Sequence, residues 1–418
     1  MRYEEDEEMI MSLRDWRQAL RTPPTYRVGN STLRIQTTFV TVIALIGLFV
    51  LLILYTTSKR NSKTAGYGLG SNDVYRNHYF PQPHEILEKI THQESADEYY
   101  NATYPLTPPI NTPSGVKFRI GIISDLDTHS KSKLESNTWI SYFKTGHLMW
   151  LPSTSSITVV WDRTDPIELK STFGQSGRGM ELSELVVFNG KLLSFDDRTG
   201  LIYEINLESN SAIPWVLLMD GNGMTTKGFK SEWATVKAHR LYVGSMGKEW
   251  TTSGGELQNL NPMWVKVVST TGQVRHLNWD QQYKTLRRAV GVEFPGYVIH
   301  ESGVWSELRQ RWFFLPRRLS KNRYNDETDE FMSTNILLST DQHFSNVQVT
   351  YIGEVIPTHG YSSFKFLPGT DDSVIVALKS EEDKGRSATY ITAFHVDGKI
   401  LLPEIKVAEL KYEGIEFI

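Results

Sequence analysis

The stretch "SELVVFNGKLLSFDDRTGLIYEINL", Ser183 to Leu207, decides the fold. A Ser-Glu pair opens an apolar run that stops at Asn-Gly. "KLLSF" follows and stops at Asp-Asp-Arg-Thr-Gly, "GLIYEINL" comes next, and "PWVLLMD" completes the unit. Short apolar runs punctuated by tight-turn residues are the pattern of hairpin-linked strands, four in succession. The same order returns from Glu232 as "EWATVKAHR", "LYVGS", "WVKVVS" and "QVRHLNW". It recurs from Glu301 as "ESGVWSELRQ", "RWFFLPRR", "TNILLST" and "VQVTYIGEV", and from Ser362 as "SSFKFLPG", "SVIVALKS", "TYITAFHV" and "LLPEIKVAEL".

The openers Glu184, Glu232, Glu301, Ser362 and Glu413 stand 48, 69, 61 and 51 residues apart. That is near the roughly 40–50 residues of a propeller blade, with room for longer loops. The last opener, in "KYEGIEFI" (Lys411 to Ile418), has one strand left, whereas three unassigned runs stand at the front: "FRIGIISDL", "TWISYFKTGHLMWL" and "SSITVVWD". One and three make four. The prediction is an all-β, five-bladed β-propeller with four-stranded blades over 115–418. Its last blade joins the C-terminal strand to N-terminal ones, closing the ring without a free edge. Composition agrees, since 39% hydrophobic residues with 11 Trp, 19 Tyr and 18 Phe suit a large pleated core.

Ahead of the propeller, "IQTTFVTVIALIGLFVLLILYTTS" (Ile35–Ser58) carries no charge between Arg34 and Lys59. At helical rise it exceeds a hydrocarbon core of about 30 Å, which predicts one transmembrane signal-anchor helix. Residues 1–34 then form a tail, and 59–114, rich in Pro and turn residues, a stem. Arg and Lys are balanced on the two sides of the span, so charge does not set the orientation. The sequon "NAT" at Asn101 lies far enough from the span to accept a glycan if that side is lumenal, which favours a cytosolic tail.

A net charge of -4 gives no reason to expect nucleic acid, and zero Cys exclude disulfides, thiolate metal sites and a Cys nucleophile. There is no GxSxG, P-loop or HExxH motif, and His129, His300 and His359 lack metal-type spacing. The chemistry therefore falls to oxygen ligands. First strands of blades line a propeller's channel, so Ser183, Glu184, Glu232, Glu301, Ser362 and Glu413 are expected to converge. Four carboxylates and two hydroxyls at one point call for a cation, and six to eight hard oxygens suit Ca²⁺ better than Zn²⁺.

Asp125 and Asp127 in "ISDLDTHS" flank one residue, which by strand alternation puts both on one face, where they could orient or deprotonate a water. A turn-initiating Asp is the competing reading, and for Asp197 in "FDDRTG" the turn is preferred. Arg178, Arg317, Arg318, Lys365 and Lys379 are the cations considered for phosphate oxygens. Trp233, Trp250 and Trp305 could stack a base or fill the space between blades.

The motifs "GIISDLDTHS", "RGMELSELVVFNGKL", "KGFKSEWATVK", "LYVGSMGKEWTT", "PGYVIHES", "RWFFLPRR", "PTHGYSSFKFLPGTDDSVIVALKSEED" and "KYEGIEFI" closely resemble the soluble calcium-activated nucleotidase (apyrase) family over 118–418. The resemblance implies a five-bladed propeller with a central Ca²⁺ held at the six positions above. It also implies hydrolysis of nucleoside di- and triphosphates to monophosphate, with UDP and GDP preferred over ADP. Anchored members imply a type II protein of the Golgi or endoplasmic reticulum with a lumenal catalytic domain, in which UDP clearance supports glycosylation. Release of a secreted form and assembly as a homodimer are left open by the residues. The rival expectation is a non-catalytic propeller, pinned by Ca²⁺, that binds ligands or proteins.

Overall fold

In the computed structural model the described residues are 100–418, together with the strand pair Thr25–Val28 and Ser31–Arg34, which is antiparallel with Thr25 opposite Arg34. The expected transmembrane span 35–58 and most of the expected stem lie outside them. Among the described residues no helix is long and apolar enough to cross a membrane.

Five antiparallel four-stranded sheets follow in chain order. Blade 1 holds Leu182–Phe188, Lys191–Asp196, Leu201–Asn206 and Ser211–Leu217. Blade 2 holds Trp233–Lys237, Arg240–Gly244, Trp264–Val268 and Val274–Asn278. Blade 3 holds Tyr297–Ser306, Arg311–Ser320, Ile336–Asp341 and Gln348–Tyr351, and blade 4 holds His359–Phe366, Val374–Asp383, Arg386–His395 and Ile400–Ala408. Blade 5 is composite. Its inner strand is Tyr412–Phe417, which pairs with Gly115–Ser124, then Trp139–Leu151 and Ser156–Trp161. The predicted closure is therefore present, with Phe417 opposite Ile120 and Ile415 opposite Ile122. The short strands Ile110–Thr112 and Ile167–Ser171 extend this sheet.

The 69-residue interval before Glu301 is explained by a helix, Asp280–Ala289, and a small hairpin, Trp250–Thr251 with Leu257–Asn259. The helix went unforeseen because only Tyr283, Leu286 and Arg287 of its ten residues are buried.

Alternation in each strand sends one row of side chains toward each neighbouring blade, and every blade junction holds its own apolar cluster. Phe118, Ile120, Phe417, Val376 and Ile391 fill the junction of blades 5 and 4. Phe143, Leu185 and Tyr203 fill that of blades 5 and 1, Phe195 and Val243 that of 1 and 2, and Phe313 and Phe364 that of 3 and 4. Trp233 and Trp305 belong to the junction of blades 2 and 3, with Trp279 and Trp312. Both are buried, so they are wedge residues and not stacking platforms; Trp250 remains half-buried beside them in sequence only.

Candidate active site

Of the six expected ligands, Glu232 stands one residue before its strand and Ser183, Glu184 and Glu413 at the second or third residue of theirs, whereas Glu301 and Ser362 are not strand openers. Ser183 and Glu184 lie inside Leu182–Phe188, Glu301 is mid-strand in Tyr297–Ser306, Ser362 is mid-strand in His359–Phe366, and Glu413 follows Tyr412. In each of these four strands the ladder register slips at the ligand: between Leu182 and Leu185, around His300, between Tyr361 and Ser363, and between Tyr412 and Gly414. A bulge inserts a residue, bends the strand and re-aims a side chain that alternation would send into a blade junction. The sixth, Glu232, precedes Trp233–Lys237, with its N–H donating to Gly244 O at 2.8 Å. Turning toward the axis in this way is a tertiary event that period-two reading cannot show.

Contacts between inner strands tie several of these residues to one another's blades. Ser363 Oγ of blade 4 donates to Glu184 Oε1 of blade 1 at 2.7 Å and accepts from Ile415 N of blade 5 at 3.3 Å. A Cβ on Gly414 would stand 2.6 Å from Glu184 C, so only glycine lets the last strand approach the first blade this closely. Arg317 bridges Glu301, Glu413 at 2.9 Å and Glu382 at 2.6 Å. Burial pushes the Glu184 carboxyl up to about 7. Burial, then the charges of Glu301 and Asp197, push Glu232 up to about 8 against the opposing pull of Lys230. Burial also raises Glu413 well above the carboxylate range, with Glu301 and Asp125 adding to it. Two oxygens of the set, Ser362 Oγ and Glu184 Oε2, are buried with no hydrogen-bond partner among the described residues. Buried, partnerless acceptors on a hard-oxygen ring fit a Ca²⁺ ion.

Beside the ring lies a lattice of alternating charges. The Asp125–Asp127 pair is brought together by a turn and not by strand alternation. The strand ends at Ser124, Asp125 Oδ1 accepts Asp127 N at 2.7 Å, and Asp127 begins a 3₁₀ turn with φ 48°. Lys411 Nζ reaches Asp125 at 2.9 Å and Asp127 at 2.7 Å. Arg178 stands opposite, 3.3 Å from Asp127, and forks onto Glu181 at 2.6 and 2.5 Å. Asp125, Asp127 and Glu181 offer oxygens within 4.8 Å of one another. Asp197 occupies the expected turn, yet its buried side chain is paired with Lys230, which also reaches Glu232 at 2.7 Å.

Reasoning from sequence thus missed Glu181, Lys230, Glu382 and Lys411. All four stand in quoted motifs within three residues of chosen ones, Glu181 in "RGMELSE", Lys230 in "KGFKSEW", Glu382 in "LKSEED" and Lys411 in "KYEG", and that adjacency was the available signal.

The expected phosphate cations divide. Arg178 and Arg317 are in the charge lattice. Arg318 points the other way from Arg317, onto Ser333 and 4.0 Å from Asp329. Lys379 is fully buried between Asn335 and Glu404, both at 2.6 Å, where no phosphate could replace its partners without breaking the blade 3–4 contact. Lys365 lies beyond the ligand ring, 3.1 Å from Glu184 Oε1. There it faces a cavity of about 400 Å³ walled by all five inner strands, including Val186, Val236, Trp305 and Glu416. This distal chamber is mainly apolar and capped by Tyr100–Tyr104, so the charged mouth is the better phosphate site. Asn101, the expected glycan acceptor, is half-buried in that cap, with its N–H donating to Asn189 Oδ1 at 2.7 Å.

The apyrase family model matches residues 126–418, that is, blades 1 to 4 and blade 5 without its strand Gly115–Ser124. The chain belongs to the apyrase family. Relatives include soluble calcium-activated nucleotidase 1 of Mus musculus, 53% identical over 349 residues and covering 82% of this chain and 86% of the mouse protein. An apyrase of Cimex lectularius is 48% identical over 325 residues, covering 78% of this chain and 89% of that one. The apyrase match takes in the whole ligand ring and, of the Asp125–Asp127 pair, Asp127.

Proposed function

We propose that the chain is a Ca²⁺-dependent hydrolase of nucleoside di- and triphosphates, producing nucleoside monophosphate and phosphate, with UDP and GDP ahead of ADP. The observation that carries this reading is the pair of buried, partnerless oxygens Ser362 Oγ and Glu184 Oε2 on the inner strands that bear Ser183, Glu184, Glu232, Glu301, Ser362 and Glu413, with Asp125 and Asp127 clamped by Lys411. Membership of the apyrase family and the printed name of the mouse relative support it.

Ca²⁺, when bound by those six residues, would supply positive charge to the phosphate oxygens. The remaining chemistry belongs to the chain. Asp127 is the more open of the pair, its side chain 44% exposed against 4% for Asp125, so it is the carboxylate that meets solvent. Asp127 takes a proton from the attacking water as the water oxygen bonds to the terminal phosphorus and the bridging P–O bond breaks. Asp125 fixes Asp127 by accepting its N–H. Arg178 and Arg317, already aligned by carboxylates, take up charge on the phosphate oxygens, and alignment in advance lowers the cost of doing so at the moment of reaction.

Phosphate release from UDP, GDP and ADP by the purified chain, with Ca²⁺ and with EGTA, tests the reading. Equal release in both conditions would sink the metal role. Full activity in an Asp125→Asn, Asp127→Asn double variant would sink the water role. Stabilisation by Ca²⁺ with no phosphate release would favour the binding-module alternative.

For location, the proposal is a single-pass type II protein of the Golgi or endoplasmic reticulum, anchored by 35–58, with the propeller lumenal. There it would remove UDP left by sugar transfer. The uncharged run and the Asn101 sequon support this. A mobility shift on endoglycosidase treatment, lost in Asn101→Gln, is expected; protease digestion of the propeller in intact vesicles would contradict it.

A further inference from the structure

Glu184 is held unlike the other ring carboxylates. Its Oε1 accepts hydrogen bonds from Leu185 N at 2.8 Å and Ser363 Oγ at 2.7 Å and is ion-paired with Lys365 Nζ at 3.1 Å. Its Oε2 accepts no hydrogen bond and is buried. One oxygen is therefore anchored and the other presented to the axis. Lys365 is itself buried, and a buried cation needs compensation from more than one side. Glu416 lines the same chamber; burial raises its carboxyl, and the charge of Lys365 opposes that rise. Glu416 is locked in turn: Tyr104 Oη donates to Oε1 at 2.9 Å, Phe417 N donates to Oε1 at 2.8 Å and Val187 N donates to Oε2 at 3.1 Å.

We propose that Lys365 is a positioning residue for the metal ligand Glu184, and that Glu416, fixed by Tyr104, is its counter-charge beneath the ring. Lys365 draws Oε1 toward the chamber side, so that Glu184 offers its other, pre-aimed oxygen to the axis. The sequence offers Lys365 only as a surface cation for phosphate and leaves Glu416 without a role. Geometry assigns both to the underside of the metal site. The link through Tyr104 also ties the segment entering the propeller to a ligand of the ring.

The inference rests on the reading of the six residues as a Ca²⁺ site, and the test separates the two. Ca²⁺ binding to the full chain is measured by titration calorimetry, without substrate, for the parent, Lys365→Met, Lys365→Arg, Ser363→Ala and Tyr104→Phe. Removing groups that orient a ligand typically weakens metal affinity about 10–100-fold. Lys365→Met is expected to fall in that range, Ser363→Ala to weaken binding by a lesser factor, and Lys365→Arg to recover most of the affinity. Tyr104→Phe, which removes one hydroxyl from a half-exposed ring, is expected to cost about 3-fold while leaving the fold intact, so the idea stays testable if Lys365→Met does not fold. No Ca²⁺ binding by the parent would overturn the metal reading itself. Binding by the parent with unchanged affinity in Ser363→Ala and in whichever of Lys365→Met and Tyr104→Phe folds would overturn the positioning role alone.

Discussion

Removing Ca²⁺ should leave a propeller whose stability falls as pH rises through neutrality. Glu184 and Glu232 titrate near the ordinary 4.5 in the unfolded chain but are pushed up to about 7 and about 8 when folded and metal-free. Between these limits the folded state holds more protons than the unfolded one, so the slope of unfolding free energy with pH is negative. Each proton is worth about 1.4 kcal/mol per pH unit, so Glu184 and Glu232 alone give a loss of about 2.7 kcal/mol per unit between about pH 5.5 and 6.5, and Glu413, raised as well, adds to it. The decline ends near pH 8, where both states are ionised. On the acid side the sign reverses for Glu382, which Arg317 and Lys411 hold down at about 2 despite its burial. Its stabilisation is complete above about pH 4.5 and is lost as pH falls toward 2, so the metal-free optimum lies near pH 5. Ca²⁺ binds the ionised ligands, and its stabilisation should therefore grow from pH 5.5 to 8. Saturation at 100 times the dissociation constant adds about 2.7 kcal/mol. Thermal or urea unfolding of the purified chain over pH 4–8.5, with Ca²⁺ and after chelation, reads both limbs. Glu232→Gln should reduce the metal-free slope by about 1.4 kcal/mol per unit. A metal-free stability that is flat or rising from pH 5.5 to 8 would refute the burial argument.

Three further outcomes follow from single contacts. Lys411→Met leaves Asp125 and Asp127 without their shared cation and should destabilise by about 3 kcal/mol in urea unfolding, since stranding a buried partner costs far more than the pair contributes; a loss below about 1 kcal/mol would contradict this. Phe417→Ala empties a fully buried place beside Phe118, whose ring centre is 5.6 Å away, and should cost about 3–5 kcal/mol by the same assay. Gly414→Ala would press a methyl onto Glu184 and Leu185 backbone, costing about 1–3 kcal/mol and weakening Ca²⁺ binding measured by calorimetry; unchanged affinity would mean that the two strands can part without disturbing the ligand.

The blade count, the composite fifth blade and the ligand types were legible because each rests on local chemistry repeated along the chain. Alternating apolar runs and Asn-Gly or Asp-Arg-Thr-Gly breaks mark strands and turns wherever they occur. A Ser or Glu at the same point of four units, with one strand left over at the C-terminal end and three at the front, is enough to close a ring. The turn chemistry at Asp196 and Asp197 was legible for the same reason, but its second consequence was not. Asp197 also faces Lys230, 33 residues away.

Sequence by itself determined that the chain forms an all-β ring and which oxygens could meet at its centre, because those properties follow from period, turn residues and side-chain type. Only the tertiary structure decided how they meet. Bulges at Glu184, Glu301, Ser362 and Glu413 turn side chains off their alternation, and pairing across the ring sets Arg317 against Glu413 and Ser363 against Glu184, 179 residues apart. Five cations that look alike in sequence part ways for the same reason. Which of them faces the mouth, a blade junction or the underside of the ring depends on strand register and on the neighbour that closure brings alongside, and neither is written in any one segment.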